Sequence, residues 1–326
     1  MTKIVLDIFG CDSPDAVFEG IVAAARRFPD VVFAVAGAEE LIKEKLAACI
    51  DCVEVIPATS VITNDCDVST AIVTMRDSTT VRALTALKND DEAVGMISMG
   101  NTGALLVGSA VYLGRLPGVV RPALASLLPT AAGGYMCLLD CGANVDCAPE
   151  QLPPFAVMAT ALMQSRGVQQ PAVALLSVGN EKGKGNTFTR AAYDLLEQAP
   201  VRFIGNIEGN DVLSGRADIV LCDGFAGNVL LKGIEGAAKF AVNVMVGALK
   251  TAVPAGTDTG FIRQAVGQVM LAMDYTGKAG AVLLGVNKPI IKAHGAATAE
   301  TVPNVVHQLL SLVESGYTDR LRAAAK

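Results

Sequence analysis

Five glycine-rich turns in this sequence carry asparagine, aspartate or lysine side chains that suit anion binding. They follow apolar segments and cover residues 98–103, 140–146, 177–186, 205–208 and 223–228. Glycine lets the backbone approach a ligand closely, and backbone N–H groups at helix starts bind anions, phosphate above all. Donors arranged in this way could position phosphate beside an electrophilic carbonyl and stabilise the oxyanion that develops there.

The common nucleotide-binding and hydrolase motifs are missing from these turns. Residues 179–184 lack the spacing of a Walker phosphate loop, and no GxGxxG or GxSxG sequence occurs. Of the two histidines, His294 lies in a polar turn and is a candidate site residue. His307 lies in an apolar run with helical spacing, which is typical of a surface or packing residue. A site without an obvious side-chain nucleophile suits a reaction whose nucleophile is itself a substrate, such as inorganic phosphate.

The elements that must position these turns alternate between strand-like and helix-like segments. This alternation predicts an α/β fold with a doubly wound, largely parallel sheet, formed by one domain over residues 1–326. Because ligands of open α/β sheets bind outside the carboxyl ends of the strands, we expect all five turns to meet at one edge. The predicted strands are residues 4–7, 31–35, 53–56, 94–98, 136–140, 173–177, 201–204 and 219–222. The predicted helices are residues 15–28, 39–48, 79–88, 102–113, 151–166, 187–198 and 228–249.

A projecting helical hairpin is predicted at about residues 236–274. Apolar residues recur there at helical spacing, and Pro254, Ala255 and Gly256 interrupt the pattern. The hairpin is interpreted either as a packed or dimer-forming helix pair, or as an element that contacts a membrane surface or a partner. Because Lys239, Lys250 and Arg263 are its only basic residues, the first interpretation is favoured.

Composition narrows the class of protein further. The 326 residues carry a formal charge of −6, which argues against a broad nucleic-acid surface. No apolar run reaches the roughly 20 residues of a membrane span, and the N-terminus does not resemble a signal peptide. The eight cysteines are interpreted as reduced thiols of a cytoplasmic protein, and Cys49 and Cys52 form a CxxC without a second pair for a metal.

These turns resemble motifs of the phosphate acyltransferase family, which converts acyl-carrier-protein thioesters into acyl phosphates. The resemblance covers nearly the whole chain, and its ordered motifs are residues 98–105, 121–124, 140–144, 203–208, 223–228 and 291–295. It implies an α/β/α sandwich related to phosphotransacetylases and isocitrate dehydrogenases, a homodimer, and no metal or organic cofactor. It also implies a role in phospholipid synthesis, with inorganic phosphate and acyl-carrier protein or acyl-CoA as substrates. Further implied partners are a downstream glycerol-phosphate acyltransferase and, peripherally, the membrane.

Site roles follow from the turns and the resemblance together. The predicted catalytic residues are Lys184, as the cation for phosphate or the oxyanion, Asn228, which orients the carbonyl, and His294. We expect Lys184→Ala to lower turnover at least ~100-fold, the scale of losing one oxyanion donor. The predicted phosphate- and substrate-binding residues are Gly100, Asn101, Thr102, Gly103, Asn144, Asn186, Asn206, Glu208, Asp223, Gly224 and Gly227. No metal ligands are predicted.

Several positions depart from the family pattern. Cys11 replaces a glycine, residues 73–79 keep little of a basic segment, and residues 268–272 contain no lysine. Two alternatives therefore stay open beside the long-chain acyltransferase. One is a short-acyl-CoA phosphotransferase on the same fold, and the other is a non-catalytic relative that binds acyl groups or partners.

Overall fold

The computed structural model describes residues 2–252, 259–273 and 280–324, which form eleven strands and eleven α-helices. The strands are β1 Thr2–Asp7, β2 Val31–Gly37, β3 Val53–Pro57, β4 Ala93–Ser98, β5 Ala123–Pro129, β6 Tyr135–Leu139, β7 Ala172–Ser177, β8 Arg202–Glu208, β9 Ile219–Leu221, β10 Ala281–Leu284 and β11 Ile290–Lys292. The helices are α1 Pro14–Arg27, α2 Glu39–Lys45, α3 Val68–Thr74, α4 Thr79–Asn89, α5 Thr102–Tyr112, α6 Leu152–Ser165, α7 Thr187–Leu196, α8 Gly224–Ala252, α9 Gly260–Met273, α10 Thr301–Glu314 and α11 Tyr317–Ala324.

These eleven strands form one sheet in the order β3-β2-β1-β4-β11-β10-β5-β6-β9-β7-β8. The first five strands in this order are mutually parallel, and so are the last four. Three antiparallel pairings through β10 and β5 connect the two groups. The sheet is largely parallel, as predicted, but its two parallel groups run in opposite directions.

This reversal corrects the expected placement of the glycine-rich turns. Residues 98–103 follow β4 in the first group, whereas the other four segments belong to the second group. The carboxyl ends of the two groups point in opposite directions, so the five turns do not share one edge of the sheet. Three of them, at residues 98–103, 140–146 and 223–228, nevertheless contribute to one cavity. Residues 205–208 are the end of β8 rather than a turn, and Gly205 takes a φ of +93° where the β7–β8 register shifts.

Helices cover both faces of the sheet and bury its apolar strands. In the first group, α1 and α10 pack on one face around Phe33 and Leu309. On the other face α4 and α5 pack around Leu84 and Leu105. In the second group α6, α7 and α11 cover one face, and the first turns of α8 lie against the other. Burial on both faces explains why the strands are nearly continuous apolar segments, and it confirms the doubly wound fold.

The eight predicted strands and seven predicted helices are all present, with boundaries shifted by a few residues. The largest helical shift is at α8, which begins at Gly224, so Asn228 lies inside the helix. The strands β5, β10 and β11 were not predicted. β10 and β11 have four and three residues, too few to show a periodic pattern.

The predicted hairpin corresponds to the second half of α8 and to α9, which contact each other. Its predicted break at residues 254–256 lies outside the described residues. Phe240, Val244 and Phe261 are exposed on these helices. Among the helices that the structure describes, none combines the length and the apolar character needed to cross a membrane.

Candidate active site

A cavity of about 380 Å³ lies over the antiparallel strands where the two groups of the sheet meet. Strands β5 and β10 supply part of its floor, and the loops after β4, β6 and β11 reach it with the first turns of α8. The lining residues that carry polar side chains are Thr102, Ser126, Cys141, Asn228, Lys232, Glu235, Lys292 and His294. The cavity thus combines residues from both halves of the fold, although their strands run in opposite directions.

His294 and Lys232 form the polar centre of this cavity. The backbone N–H of Ala296 donates to His294 Nδ1 at 3.1 Å, so the proton of the neutral ring sits on Nε2. The Nζ atom of Lys232 lies 3.4 Å from that Nε2 and 2.8 Å from a carboxylate oxygen of Glu235. Burial and the neighbouring Lys232 lower the pKa of His294, which keeps the ring neutral at pH 7. Two donors therefore face each other where an anionic oxygen would accept from both.

The start of α5 reaches the same cavity through Thr102. Asn101 caps this helix, since its side-chain oxygen accepts from the backbone N–H of Ala104 at 2.8 Å. The side-chain amide of Asn101 donates to Asn64 at 2.8 Å. A capped helix start places positive potential toward the cavity. Asn101 thus serves the helix that presents Thr102, and it is not itself among the cavity-lining residues.

The turn after β6 is built on the buried carboxylate of Asp140. One of its oxygens accepts backbone N–H groups from Leu124, Gly142 and Ala143, and the other accepts two bonds from Asn144, each at 2.7 Å. The side-chain amide of Asn144 also donates to Pro122. Asn144 is 3% exposed, so its polar groups are committed to the turn rather than presented to a ligand.

The start of α8 packs directly on this turn, which explains two of its glycines. A Cβ atom on Gly227 would lie 1.9 Å from the carbonyl oxygen of Asp140, and one on Gly224 would lie 2.7 Å from that of Asn144. Asp223 caps the helix by accepting from Ala226 N–H at 2.7 Å. These three residues hold α8 close to the sheet, so that its first turns face the cavity.

A second polar cluster lies at the ends of β7 and β8. Asn180 donates to Glu208 at 2.9 Å, and Asn206 donates to the backbone carbonyl of Glu181 at 2.9 Å. Arg216 donates to both Asn180 and the Asn206 carbonyl at 2.8 Å. Lys184 is exposed, with its aliphatic stem against Gly179. Asn186 caps α7 through Thr189. The structure brings Lys184, Asn186, Asn206 and Glu208 to one region, but none of them lines the cavity.

A row of three polar residues lies at the strand ends of the first group, and one of them, Lys292, lines the cavity. Asp7, Ser98 and Lys292 occupy matching positions at the ends of β1, β4 and β11. Asp7 is fully buried and accepts from Thr80 at 2.9 Å and from Ser98 at 3.0 Å. Burial raises the pKa of Asp7 and lowers that of Lys292 to about 8.

Sequence reasoning placed three of its site residues on the cavity, Thr102, Asn228 and His294, and missed others. Lys232 and Glu235 follow Asn228 by four and seven residues, the spacing of one helix face, and this signal would have found them. Gly100 and Gly103 lie beside Asp7 and Val68 respectively. Among the described residues no group of His, Cys, Asp and Glu side chains is arranged to hold a metal, and all eight cysteines are free thiols.

Sequence comparison identifies the family. Residues 2–320 match the family described as "Fatty acid synthesis protein". The chain is 38% identical over 318 residues to a phosphate acyltransferase of Halalkalibacterium halodurans, which covers 97% of this chain and 94% of that protein. The chain belongs to the phosphate acyltransferase family. A phosphate acyltransferase of Leptospira biflexa is also 38% identical, over 95% of this chain and 92% of its own.

Solved structures relate this phosphate acyltransferase family member to enzymes of similar fold. A phosphotransacetylase from Streptococcus pyogenes superposes with a TM-score of 0.62 at 17% identity and covers 98% of this chain and 94% of its own. A branched-chain phosphotransacylase from Enterococcus faecalis superposes with a TM-score of 0.59 at 13% identity and covers 96% and 99%. At these identities the likeness concerns the fold alone, and it confirms the predicted relation to phosphotransacetylases. Family membership, rather than the fold, makes the chain an acyltransferase that uses phosphate.

Proposed function

We propose that this enzyme transfers a long-chain acyl group from acyl-carrier protein to inorganic phosphate and supplies acyl phosphate for phospholipid synthesis. The family supports acyl transfer with phosphate, and the carrier and the pathway are the finer part of this proposal. The observation that carries it is the facing pair of donors, Lys232 Nζ and His294 Nε2, in a cavity over the sheet. An anionic oxygen between them would relieve the contact of two donors.

The reaction needs an anion and a carbonyl to be held together. Lys232 and the start of α5 at Thr102 are proposed to bind phosphate, and neutral His294 to donate its Nε2 proton to the thioester oxygen. A phosphate oxygen attacks the carbonyl carbon, the C–S bond breaks, and the proton of hydrogen phosphate ends on the thiol. Asn228, which lines the same cavity, is proposed to orient the carbonyl. Preorganised donors of this kind stabilise the oxyanion without reorganisation.

The second polar cluster is proposed to contact the part of the thioester that extends beyond the cavity. Lys184 is the exposed cation of this cluster. Asn206 and Glu208 stabilise the loop that carries Lys184, because Asn206 bonds to Glu181 and Glu208 bonds to Asn180 in that loop. The carrier's phosphopantetheine arm contains a phosphodiester, which an ammonium group would bind. Asn186 and Asn144 are proposed to act on the substrate only through the turns that they stabilise.

A homodimer through α8 and α9 is proposed from the exposed apolar side chains on these helices. Phe240 and Phe261 are 71% and 69% exposed, which is unusual for aromatic residues of a monomer. Sedimentation equilibrium of the wild type and of Phe240→Glu tests this assembly, with a dimer expected for the first and a shift toward monomer for the second. The same surface is also proposed to contact the membrane peripherally and to bind a downstream glycerol-phosphate acyltransferase.

Substrate preference tests the proposed function. Acyl phosphate formation is compared with a long-chain acyl-carrier protein, the matching acyl-CoA and acetyl-CoA, each with inorganic phosphate. The highest kcat/KM is expected for the long-chain carrier thioester. A preference for acetyl-CoA would instead support a short-acyl phosphotransferase. Acyl binding without turnover of any thioester would support a non-catalytic relative.

A further inference from the structure

Three adjacent strands end in an acid, a hydroxyl and an amine on the cavity face of the sheet. Asp7 pairs with Ser98 across β1 and β4, and Lys292 pairs with Ser98 across β4 and β11. Residues in register on neighbouring parallel strands point to the same face, about 4.8 Å apart from strand to strand. Lys292 lines the cavity, whereas Asp7 is sealed behind it.

We propose that Lys292 is the catalytic proton carrier of this site, which protonates the departing thiolate and recovers the proton from phosphate. This inference rests on the proposed function. In the forward direction, the Lys292 ammonium gives a proton to sulfur as the C–S bond breaks. By then hydrogen phosphate has bonded to the acyl carbon through one oxygen, and the resulting amine accepts the proton that the phosphate group still carries. Lys292 ends as the ammonium ion with which it began, so no further reactant is required.

The row formed by Asp7, Ser98 and Lys292 explains how the Lys292 amine can take part in both proton transfers. Burial lowers the pKa of Lys292 to about 8, while Asp7 opposes part of this shift. A typical thiol has a pKa of about 8.5, and the second ionisation of phosphate falls near neutrality. The amine is therefore matched to both of its proton partners. Proton transfer by a group matched in this way contributes about 10²- to 10⁴-fold in rate.

Other charged groups around the cavity fit this role less well. His294 is neutral and already accepts Ala296 N–H at Nδ1. Lys232 is paired with Glu235 and half exposed. Cys11, in the loop after β1, faces Lys292 as a protonated thiol, because burial raises its pKa. Asp7 is the counter-charge of the row, and it acts through Lys292 rather than on the substrate.

One carboxylate oxygen of Asp7 supports this arrangement independently. Oδ2 accepts from Thr80 and Ser98, whereas Oδ1 is buried and, within the described part of the chain, makes no hydrogen bond of good geometry. The buried hydroxyl of Thr79 is the neutral donor that lies beside this carboxylate. A buried carboxylate with an unpaired oxygen is costly unless a cation lies nearby. The nearby charge of Lys292 acts on Asp7 electrostatically, while the Lys292 Nζ atom itself donates to the backbone carbonyl of Ala293.

The test uses two acyl thioesters with different leaving groups. One is the long-chain acyl-carrier protein, whose thiolate needs a proton. The other is the same acyl group on 5-thio-2-nitrobenzoate, an aryl thiolate stable without one. Wild type, Lys292→Arg and Lys292→Met are compared for kcat and for the KM of phosphate. Lys288→Arg is the matched control, because Lys288 donates to the Asp90 and Ala93 carbonyls and is not among the cavity-lining residues.

Arginine keeps the positive charge but does not release a proton near neutral pH. Lys292→Arg is therefore expected to keep the phosphate KM within about threefold and to lose about 100-fold in kcat on the carrier thioester. On the aryl thioester its loss should shrink to less than about tenfold. An equal loss on both thioesters, or a raised phosphate KM with unchanged kcat, would overturn the proposal.

A measurement on the wild type covers the case in which the variants do not fold. With aryl and alkyl thioesters of graded thiol pKa, the wild-type kcat should depend only weakly on the leaving group, because sulfur is protonated as it leaves. A steep dependence would overturn the assignment of Lys292. No phosphate-dependent release from any thioester would overturn the proposed function itself, and the inference with it.

Discussion

Lys232 Nζ and His294 Nε2 lie 3.4 Å apart, although one residue belongs to α8 and the other to the loop after β11. Both atoms are donors, because Ala296 N–H occupies Nδ1 and the ring is neutral. In the absence of an anion this contact is unfavourable, and the salt bridge from Lys232 to Glu235 offsets part of its cost. The two donors therefore favour the binding of a negatively charged oxygen.

Removal of His294 and removal of Lys232 should affect different kinetic constants. His294→Ala is expected to lower kcat about 100-fold, the scale of losing one oxyanion donor. Lys232→Met is expected to raise the KM of phosphate with a smaller effect on kcat. His307→Ala is the matched control, because His307 is exposed on α10 and stacks on Phe28. Steady-state kinetics with varied phosphate separate the two effects, and equal behaviour of the two histidine variants would refute the role of His294.

The contribution of Lys184 can be measured against its neighbour Lys182. Because Lys184 lies outside the cavity and is proposed to bind the carrier's phosphodiester, Lys184→Ala is expected to raise the KM of the carrier thioester about tenfold or more, with a smaller effect on kcat. Lys182 pairs with Asp194 and Glu197 on the surface, so Lys182→Ala should stay within about threefold of the wild type. Near-normal kinetics of Lys184→Ala would remove this lysine from the mechanism and confine the chemistry to the cavity.

The close packing of α8 on the β6 turn predicts a sharp difference between two glycines of the same helix. Gly227→Ala places a methyl group 1.9 Å from the Asp140 carbonyl oxygen and should cost about 3 kcal/mol or more in the free energy of unfolding. A Cβ on Gly236 meets nothing within 4 Å, so Gly236→Ala should be neutral or stabilise by about 0.5–1 kcal/mol. Urea denaturation measures the free energy of unfolding of both variants. Comparable values would show that the turn after β6 shifts to accommodate the methyl group at little cost.

The pKa of Lys292 predicts a pH-dependent stability difference. The folded protein releases this proton near pH 8, whereas the unfolded chain holds it up to its ordinary pKa of 10.5. Between these values the unfolded state binds more protons, so stability rises with pH. The Lys292 proton adds at most about 1.4 kcal/mol per pH unit to the free energy of unfolding. The free energy of unfolding of the wild type, minus that of Lys292→Met, should therefore increase as pH rises above about 8. A constant difference across that range would contradict the lowered pKa.

Much of the fold could be predicted because buried strands and amphipathic helices leave strong local patterns. Long elements such as β2 and α6 carry enough apolar residues to be recognised one at a time. The reversal of the sheet could not be predicted, since it depends on β10 and β11, which are too short to show a pattern and pair far along the chain. For this reason the five turns were expected at a single edge.

The candidate site was predicted in part for the same reasons. His294 and Thr102 were found because they lie in polar turns at element ends. Lys292 was not singled out, because its burial and its register with Ser98 and Asp7 are products of tertiary pairing. Gly224 and Gly227 were correctly marked as special, but the structure gives them a packing role against the Asp140 turn.

Thiol release from a long-chain acyl-carrier-protein thioester, measured with and without inorganic phosphate while acyl phosphate is followed, tests the proposed reaction itself. We expect release that requires phosphate, with one acyl phosphate formed for each thiol. Thiol release that proceeds equally without phosphate, or no release by folded protein with intact carrier, would contradict it.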